Sequence, residues 1–164
     1  MLPLRTLRKI VLAKCYVDHS RSIGTSGVMY QNAMKFTFAS PGQVFYSEAN
    51  IKQVDVPSMS GNFGILANHV PMLAVLAPGV VNIFETEGDS KKYFVSSGTI
   101  TVNDDSSVQV LAEEAVPVAH LDRQAARDGL TEAQQRLNSA SGDIARAEAQ
   151  IAVDTFEALV KASE

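Results

Sequence analysis

The feature that most constrains this chain is a change of hydrophobic period near residue 121. Between Lys35 and Val118 apolar residues alternate with polar ones, and beyond Asp122 they recur every three to four positions. A period of two lines one face of an extended strand, while a period near 3.6 draws a stripe along a helix. The two stretches must therefore fold differently. In the first, Phe36 and Phe38 alternate with Lys35, Thr37 and Ala39, and Val54 and Val56 with Gln53 and Asp55, until Pro57 ends the run. Ile100 with Val102, and Val108 with Val110, repeat the pattern.

Turn chemistry divides these runs. Glu87-Gly88-Asp89-Ser90 separates Val80–Glu85 from Lys91–Ser96, and Asn103-Asp104-Asp105-Ser106 separates Thr99–Val102 from a strand beginning near Ser107. Ser40-Pro41-Gly42 and Ala77-Pro78-Gly79 add turns in which proline presets φ and glycine admits positive φ. Roughly eight to ten half-buried antiparallel strands at this spacing predict a sandwich or flattened barrel. No βαβ crossover is visible.

From Asp122 to Lys161 there is no proline and alanine is abundant. Asp122 suits a helix N-cap, and Ala126, Leu130, Ala133 and Leu137 follow at helical spacing. Gly129 costs that helix about 1 kcal/mol relative to alanine. After a short turn at Asn138-Ser139-Ala140-Ser141-Gly142, a second helix from about Asp143 to Ala162 carries Ile144, Ala147, Ile151, Phe156, Leu159 and Val160 on one broad apolar side. A short loop joins antiparallel helices. Small alanines bury little area, so this pair needs the sandwich or another chain to hold it. The expected architecture is a β-sandwich at 35–118 followed by an antiparallel helical hairpin at 121–164.

Charge is uneven along the 164 residues. Residues 1–24 carry five basic residues against one acid, Asp18, and the remainder holds nine basic and 17 acidic residues. The acidic body lacks the basic footprint of a nucleic-acid binder. Leu4, Leu7, Val11 and Leu12 fall on one side of a notional helix and Arg5 and Lys9 towards the other, the pattern of a mitochondrial transit peptide at 1–24. Lys9 and Lys14 bracket too short an apolar block for a secretory signal. Small residues including Ser26 and Gly27 read as a linker over 25–34. No stretch approaches the roughly 20 apolar residues of a membrane-spanning helix, so a soluble protein is expected.

Catalytic chemistry has little to build on. The single cysteine, Cys15, excludes a disulfide framework, and His19, His69 and His120 do not cluster at metal-ligand spacing. Glu113-Glu114 reads as adjacent strand residues on opposite faces, and Asp104-Asp105 as turn residues. Gly61-Asn62-Phe63-Gly64 lacks the Lys-Ser/Thr of a phosphate loop and reads as a tight turn needing two unusual backbone conformations. No catalytic residue, cofactor or metal site is expected, which leaves a binding or coupling role.

The run Gly61-Asn62-Phe63-Gly64-Ile65-Leu66-Ala67-Asn68-His69-Val70-Pro71-Met72-Leu73 resembles the signature of the small central-stalk subunit family of F-type ATP synthases, called delta in mitochondria and epsilon in bacteria. Leu76-Ala77-Pro78-Gly79-Val80, Tyr93–Gly98 and Val110–Ala115 extend the likeness. The resemblance implies a non-catalytic rotor part on the matrix side of the inner membrane. Its sandwich would pack beside the gamma subunit and rest on the c-ring, coupling proton-driven rotation to ATP synthesis elsewhere. It places Ser60, Gly61, Asn62 and Phe63 towards the c-ring, with Asn62 where bacterial members often carry a carboxylate. Ser40 and His69 match positions facing gamma, and His69 equally suits a residue that caps its own turn. The hairpin would stay folded down and pack with a small mitochondrial epsilon subunit. The alternative is an ATP-sensing, hydrolysis-inhibiting module. Its [IL]-D-x-x-R-A segment reads Leu121-Asp122-Arg123-Gln124-Ala125-Ala126, with Ala125 in place of the arginine.

Overall fold

The computed structural model describes residues 33–164. The proposed leader at 1–24 and most of the proposed linker lie outside the described residues. Nine strands follow in order: β1 (Met34–Ser40), β2 (Gln43–Val56), β3 (Phe63–Leu66), β4 (Met72–Leu76), β5 (Gly79–Glu85), β6 (Ser90–Val95), β7 (Gly98–Val102), β8 (Val108–Ala112) and β9 (Ala115–Pro117). A 3-10 turn at Val118–His120 leads into helices α1 (Arg123–Ser139) and α2 (Asp143–Ala162). This is the expected sandwich-like sheet followed by two helices.

The strands pair in the order β4-β7-β8-β1-β2-β5-β6-β9, with β3 also on β2. The 14-residue β2 stands in the middle of this order and joins its two parts. Its first half pairs with β1 and its second with β3 and β5, and the β1–β2 ladder shifts register near Phe38. Phe36, Phe38, Val54, Val56, Ile100, Val108 and Val110 all point inward, as their alternation requires. Phe38 stacks on Phe45 at 4.9 Å and meets the edge of Tyr93 at 5.4 Å. One pairing departs from the antiparallel expectation: β1 runs parallel to β8, with Phe36 opposite Val108. The connection spans most of the sandwich, so no local crossover motif announces it.

The turns fall where the sequence puts them, but the glycines serve differently. Neither Gly42 nor Gly79 takes positive φ. In the Gly61–Gly64 segment only Gly61 does, at φ 120°. Gly64 sits in β3, where a Cβ would stand 2.7 Å from Asp55 Oδ1. Close approach, rather than a second unusual conformation, accounts for that glycine.

Asp122 caps α1 by accepting from the Gln124 amide at 2.8 Å and the Ala125 amide at 3.2 Å. Ala126 and Ala133 of α1 and Ala149 and Val153 of α2 are buried. Gly129 proves to be a contact residue. A Cβ there would overlap the Phe156 ring, so its cost in helix propensity is the condition for seating that ring. Arg123 joins the two helix ends, its Nε donating to the Ser163 carbonyl at 2.8 Å and its Nη2 to the same oxygen and to that of Glu164. A guanidinium there satisfies carbonyls the helix leaves open and complements the negative end of its dipole.

The single broad apolar side expected for α2 is corrected to two stripes on different sides. Ala149, Val153 and Phe156 follow at helical spacing towards α1, while Ile144 is 79% exposed and Ile151 65%, with Ala147 exposed between them. The outer stripe continues to Ala158 and Ala162, which face Val80 and Asn82 of β5 across a cavity of about 370 Å³. Its C-terminal end thus meets the sandwich and its N-terminal end is uncovered. No helix among the described residues is long and apolar enough to cross a membrane.

Candidate functional site: two docking surfaces

The loop between β2 and β3 carries Ser60, Gly61, Asn62 and Phe63. Ser60, Gly61 and Asn62 are exposed and Phe63 is half-buried at the start of β3. Gly61 donates its amide to the Ser58 carbonyl at 3.0 Å and closes the turn. Asn62 and Phe63 line a cavity of about 370 Å³ with Gln53 and Asp55, and Asn62 also borders the cavity beneath the end of α2. Of the four residues expected to face the c-ring, Ser60, Gly61 and Asn62 therefore offer hydroxyl, main-chain and amide groups to solvent, while Phe63 packs against the core.

Ser40 and His69 are not brought together. Ser40 ends β1 at the edge where Gly98 pairs with Ala112, and its hydroxyl donates to the Gln43 carbonyl at 3.2 Å. His69 precedes β4 on the side where Met72 pairs with Val102, with Nδ1 2.9 Å from the Val70 carbonyl.

Between them lies a surface that the sequence reading did not single out. Val75, Thr99, Leu111, Ala39 and Val44 stand opposite one another in consecutive ladders across β4, β7, β8, β1 and β2. Leu73, Val75, Leu111 and Val44 in this area are between 53% and 72% exposed. Ser40, Thr99 and Leu111 also line a shallow depression of about 480 Å³. The signal was present: Met72-Leu73-Ala74-Val75-Leu76 is apolar on both phases of its alternation, which marks a strand with both faces covered.

The acidic pairs serve structure. Glu113 and Glu114 lie in the turn between β8 and β9, so the expectation of opposite strand faces is corrected. Glu113 accepts from the Ser97 hydroxyl at 2.8 Å. Asp105 caps its turn by accepting from the Ser107 hydroxyl at 2.6 Å and amide at 3.0 Å, which holds its carboxyl below the usual range. On the layer edge, Lys91 and Tyr46 both reach Glu85 at 2.8 Å. Lys91 first, then Tyr46, lowers the Glu85 pKa, while burial, followed by that hydrogen bond, pushes the Tyr46 phenol far up. No three metal-ligating side chains gather among the described residues.

An exposed polar loop, an apolar sheet face and an uncovered helix stripe are the features of a docking subunit rather than of a catalytic one. The comparisons identify which kind. The β-sandwich domain of the ATP synthase delta/epsilon chain matches residues 33–118, and the C-terminal domain of the metazoan delta subunit of F1F0-ATP synthase matches 121–162. The mitochondrial ATP synthase subunit delta of Caenorhabditis elegans is 51% identical over 130 residues, 79% of either chain. That of Yarrowia lipolytica is 41% identical over 77% of each. The fold is similar to a chain in the Euglena gracilis mitochondrial ATP synthase OSCP/F1/c-ring structure, with TM-score 0.75, 26% identity and coverage of 81% of this chain and 82% of that one. A chain in the Tetrahymena thermophila central stalk/c-ring structure shares the fold at TM-score 0.61 and 18% identity, covering 80% of this chain and 96% of that one. The chain belongs to the ATP synthase delta/epsilon family, and mitochondrial delta subunits are among its relatives.

Proposed function

We propose that this chain is a non-catalytic central-stalk subunit of the mitochondrial F-type ATP synthase, on the matrix side of the inner membrane. It couples proton-driven rotation of the c-ring to the gamma shaft. The observation that carries this reading is the likeness of both halves of the chain, sandwich and hairpin, to mitochondrial delta subunits. The Ser60–Phe63 loop meets the c-ring, and with Asn62 uncharged the contact is by hydrogen bonds rather than an ion pair. Gamma covers the row from Val75 to Val44, with Ser40 at its border. An apolar face of this kind is a poor surface to leave in water and a good one to bury.

The open end of the outer α2 stripe, at Ile144 and Ile151, is the place for the small epsilon subunit. An ATP-sensing role is disfavoured, because Ala125 offers no cation and Arg123 already serves the α2 carbonyls. The leader at 1–24 directs import. Photocrosslinking side chains at Leu111, Asn62 and Ile151 in the intact complex test the assignment. The expected products join gamma, the c-ring and the small epsilon subunit respectively. Leu111 and Asn62 products that lack gamma and the c-ring would overturn the rotor reading.

A further inference from the structure

We infer that Ser58 is the positioning residue that sets the ring-facing loop and ties it to β4, the strand that carries Leu73 and Val75 on the shaft-facing surface. The inference rests on the docking assignment just given. Ser58 is the one buried polar side chain among the described residues, 6% exposed beside a turn that is open to solvent. A serine hydroxyl has one hydrogen to give and two lone pairs. Here all three are used. Ser58 Oγ donates to the Gly61 carbonyl at 2.8 Å and accepts from the Ser60 amide at 3.2 Å. It also lies 2.9 Å from the Ser60 hydroxyl, which must then be the donor. The turn is thus held from within at both of its central links. Alanine would fill almost the same space without a buried hydroxyl's desolvation cost, so what the oxygen adds is order in the loop.

The same residue is anchored on its other side. Ser58 bridges to Leu76, the Met59 amide donates to the Val75 carbonyl at 3.1 Å, and the Ala77 amide donates to the Pro57 carbonyl at 3.2 Å. Leu76 is buried in the core, and Val75 beside it faces outward. A sideways load on Asn62 therefore passes through a hydroxyl-locked turn and main-chain bonds into the strand whose side chains meet the shaft. The Ser58 hydroxyl orders the loop, and the main-chain bonds of its neighbours join that loop to the apolar face.

The test uses Ser58→Ala and Ser58→Thr in the full chain and in the assembled complex, with Asn62→Trp as a reference for the loop surface. In the full chain, Ser58→Ala is expected to speed amide exchange at Ser60 and Gly61 by about tenfold. Exchange at Val54 and Ile83 should not change. In the complex it should lower the number of protons pumped per ATP hydrolysed, and Ser58→Thr, which keeps the hydroxyl, should restore both. If the alanine variant does not fold, Ser58→Cys, with its weaker donor, replaces it and is held to the same two outcomes. Unchanged exchange at Ser60 and Gly61 would overturn the inference. So would unchanged pumping by a Ser58→Ala complex in which Asn62→Trp uncouples, and the docking assignment would then stand. If Asn62→Trp leaves pumping intact, the docking assignment itself fails, and the coupling role of Ser58 with it.

Discussion

The sandwich and the hairpin are held together by different means. Inside the sandwich, Phe36, Phe38, Ile51, Ile65, Ile83 and Ile100 are wholly buried. Each such side chain contributes on the order of 1.5–3 kcal/mol by leaving water. The helix pair has as its buried set Ala126, Ala133, Ala149 and Val153. It relies instead on close backbone approach, one aromatic ring seated over Gly129, an aspartate cap and an arginine spanning two helix ends. A core of large side chains is self-sufficient, whereas a seam of alanines depends on its fastenings. The lesson suits a coupling subunit: the sandwich, which bears the load between ring and shaft, has the dense core, and the hairpin with its thin seam keeps a stripe open for a neighbour.

Phe38→Ala removes a ring in contact with both Phe45 and Tyr93 and should cost about 3–5 kcal/mol. Urea unfolding would show the whole sandwich shifting, and a loss confined to one layer would mean the two layers are not one cooperative core. Gly129→Ala sets two rules against each other. Helix propensity predicts a gain of up to about 1 kcal/mol, while the overlap of a Cβ with the Phe156 ring predicts an overpacking loss of about 1–3 kcal/mol. The expected outcome is net loss, seen as faster amide exchange in both helices with the sheet unchanged. Stabilisation would show that the ring moves aside freely.

Arg123→Ala should fray the last turn of α2 by about 0.3–1 kcal/mol, read from exchange at Leu159–Ala162. Equal protection in wild type and variant would remove Arg123 from the fastenings. The smallest effect is electrostatic and belongs to the sandwich edge. Glu85 has a lowered pKa when folded, so its pairing adds stability above the unfolded value of about 4.5 and loses it as pH falls through the folded value. The melting-temperature difference between wild type and Glu85→Gln should close on acidification from about pH 6 to about pH 3 and shrink in high salt. A difference that persists through acid would mean the pair works by shape rather than charge.

Most of the fold was legible because its signals are local. Alternation at Phe36–Phe38 and at Val108–Val110, the turn residues around Gly88 and Asp105, and the cap at Asp122 each state a conformation within a few residues. What was not legible depends on distant neighbours. The parallel alliance of β1 with β8 has no local signature. Gly129 looks like a flaw until Phe156 is placed against it. Which apolar stripe of α2 faces α1 is decided by the partner helix, since Ile144 and Val153 are equally apolar in sequence. The surface row from Val75 to Val44 draws on five strands, and Ser58 gains its role only when Gly61 and Leu76 are brought to it.

The alliance of β1 with β8 also has a consequence for how the chain is made. The first strand of the sandwich occupies a central lane of the sheet, yet one of its two flanking partners is almost the last to be synthesised. A nascent or newly translocated chain must therefore hold Phe36 and Phe38 without their full shelter until Val108 and Val110 arrive. Contacts so remote in sequence close slowly. The interval before that closure is when the polypeptide is most exposed to aggregation and most in need of a chaperone.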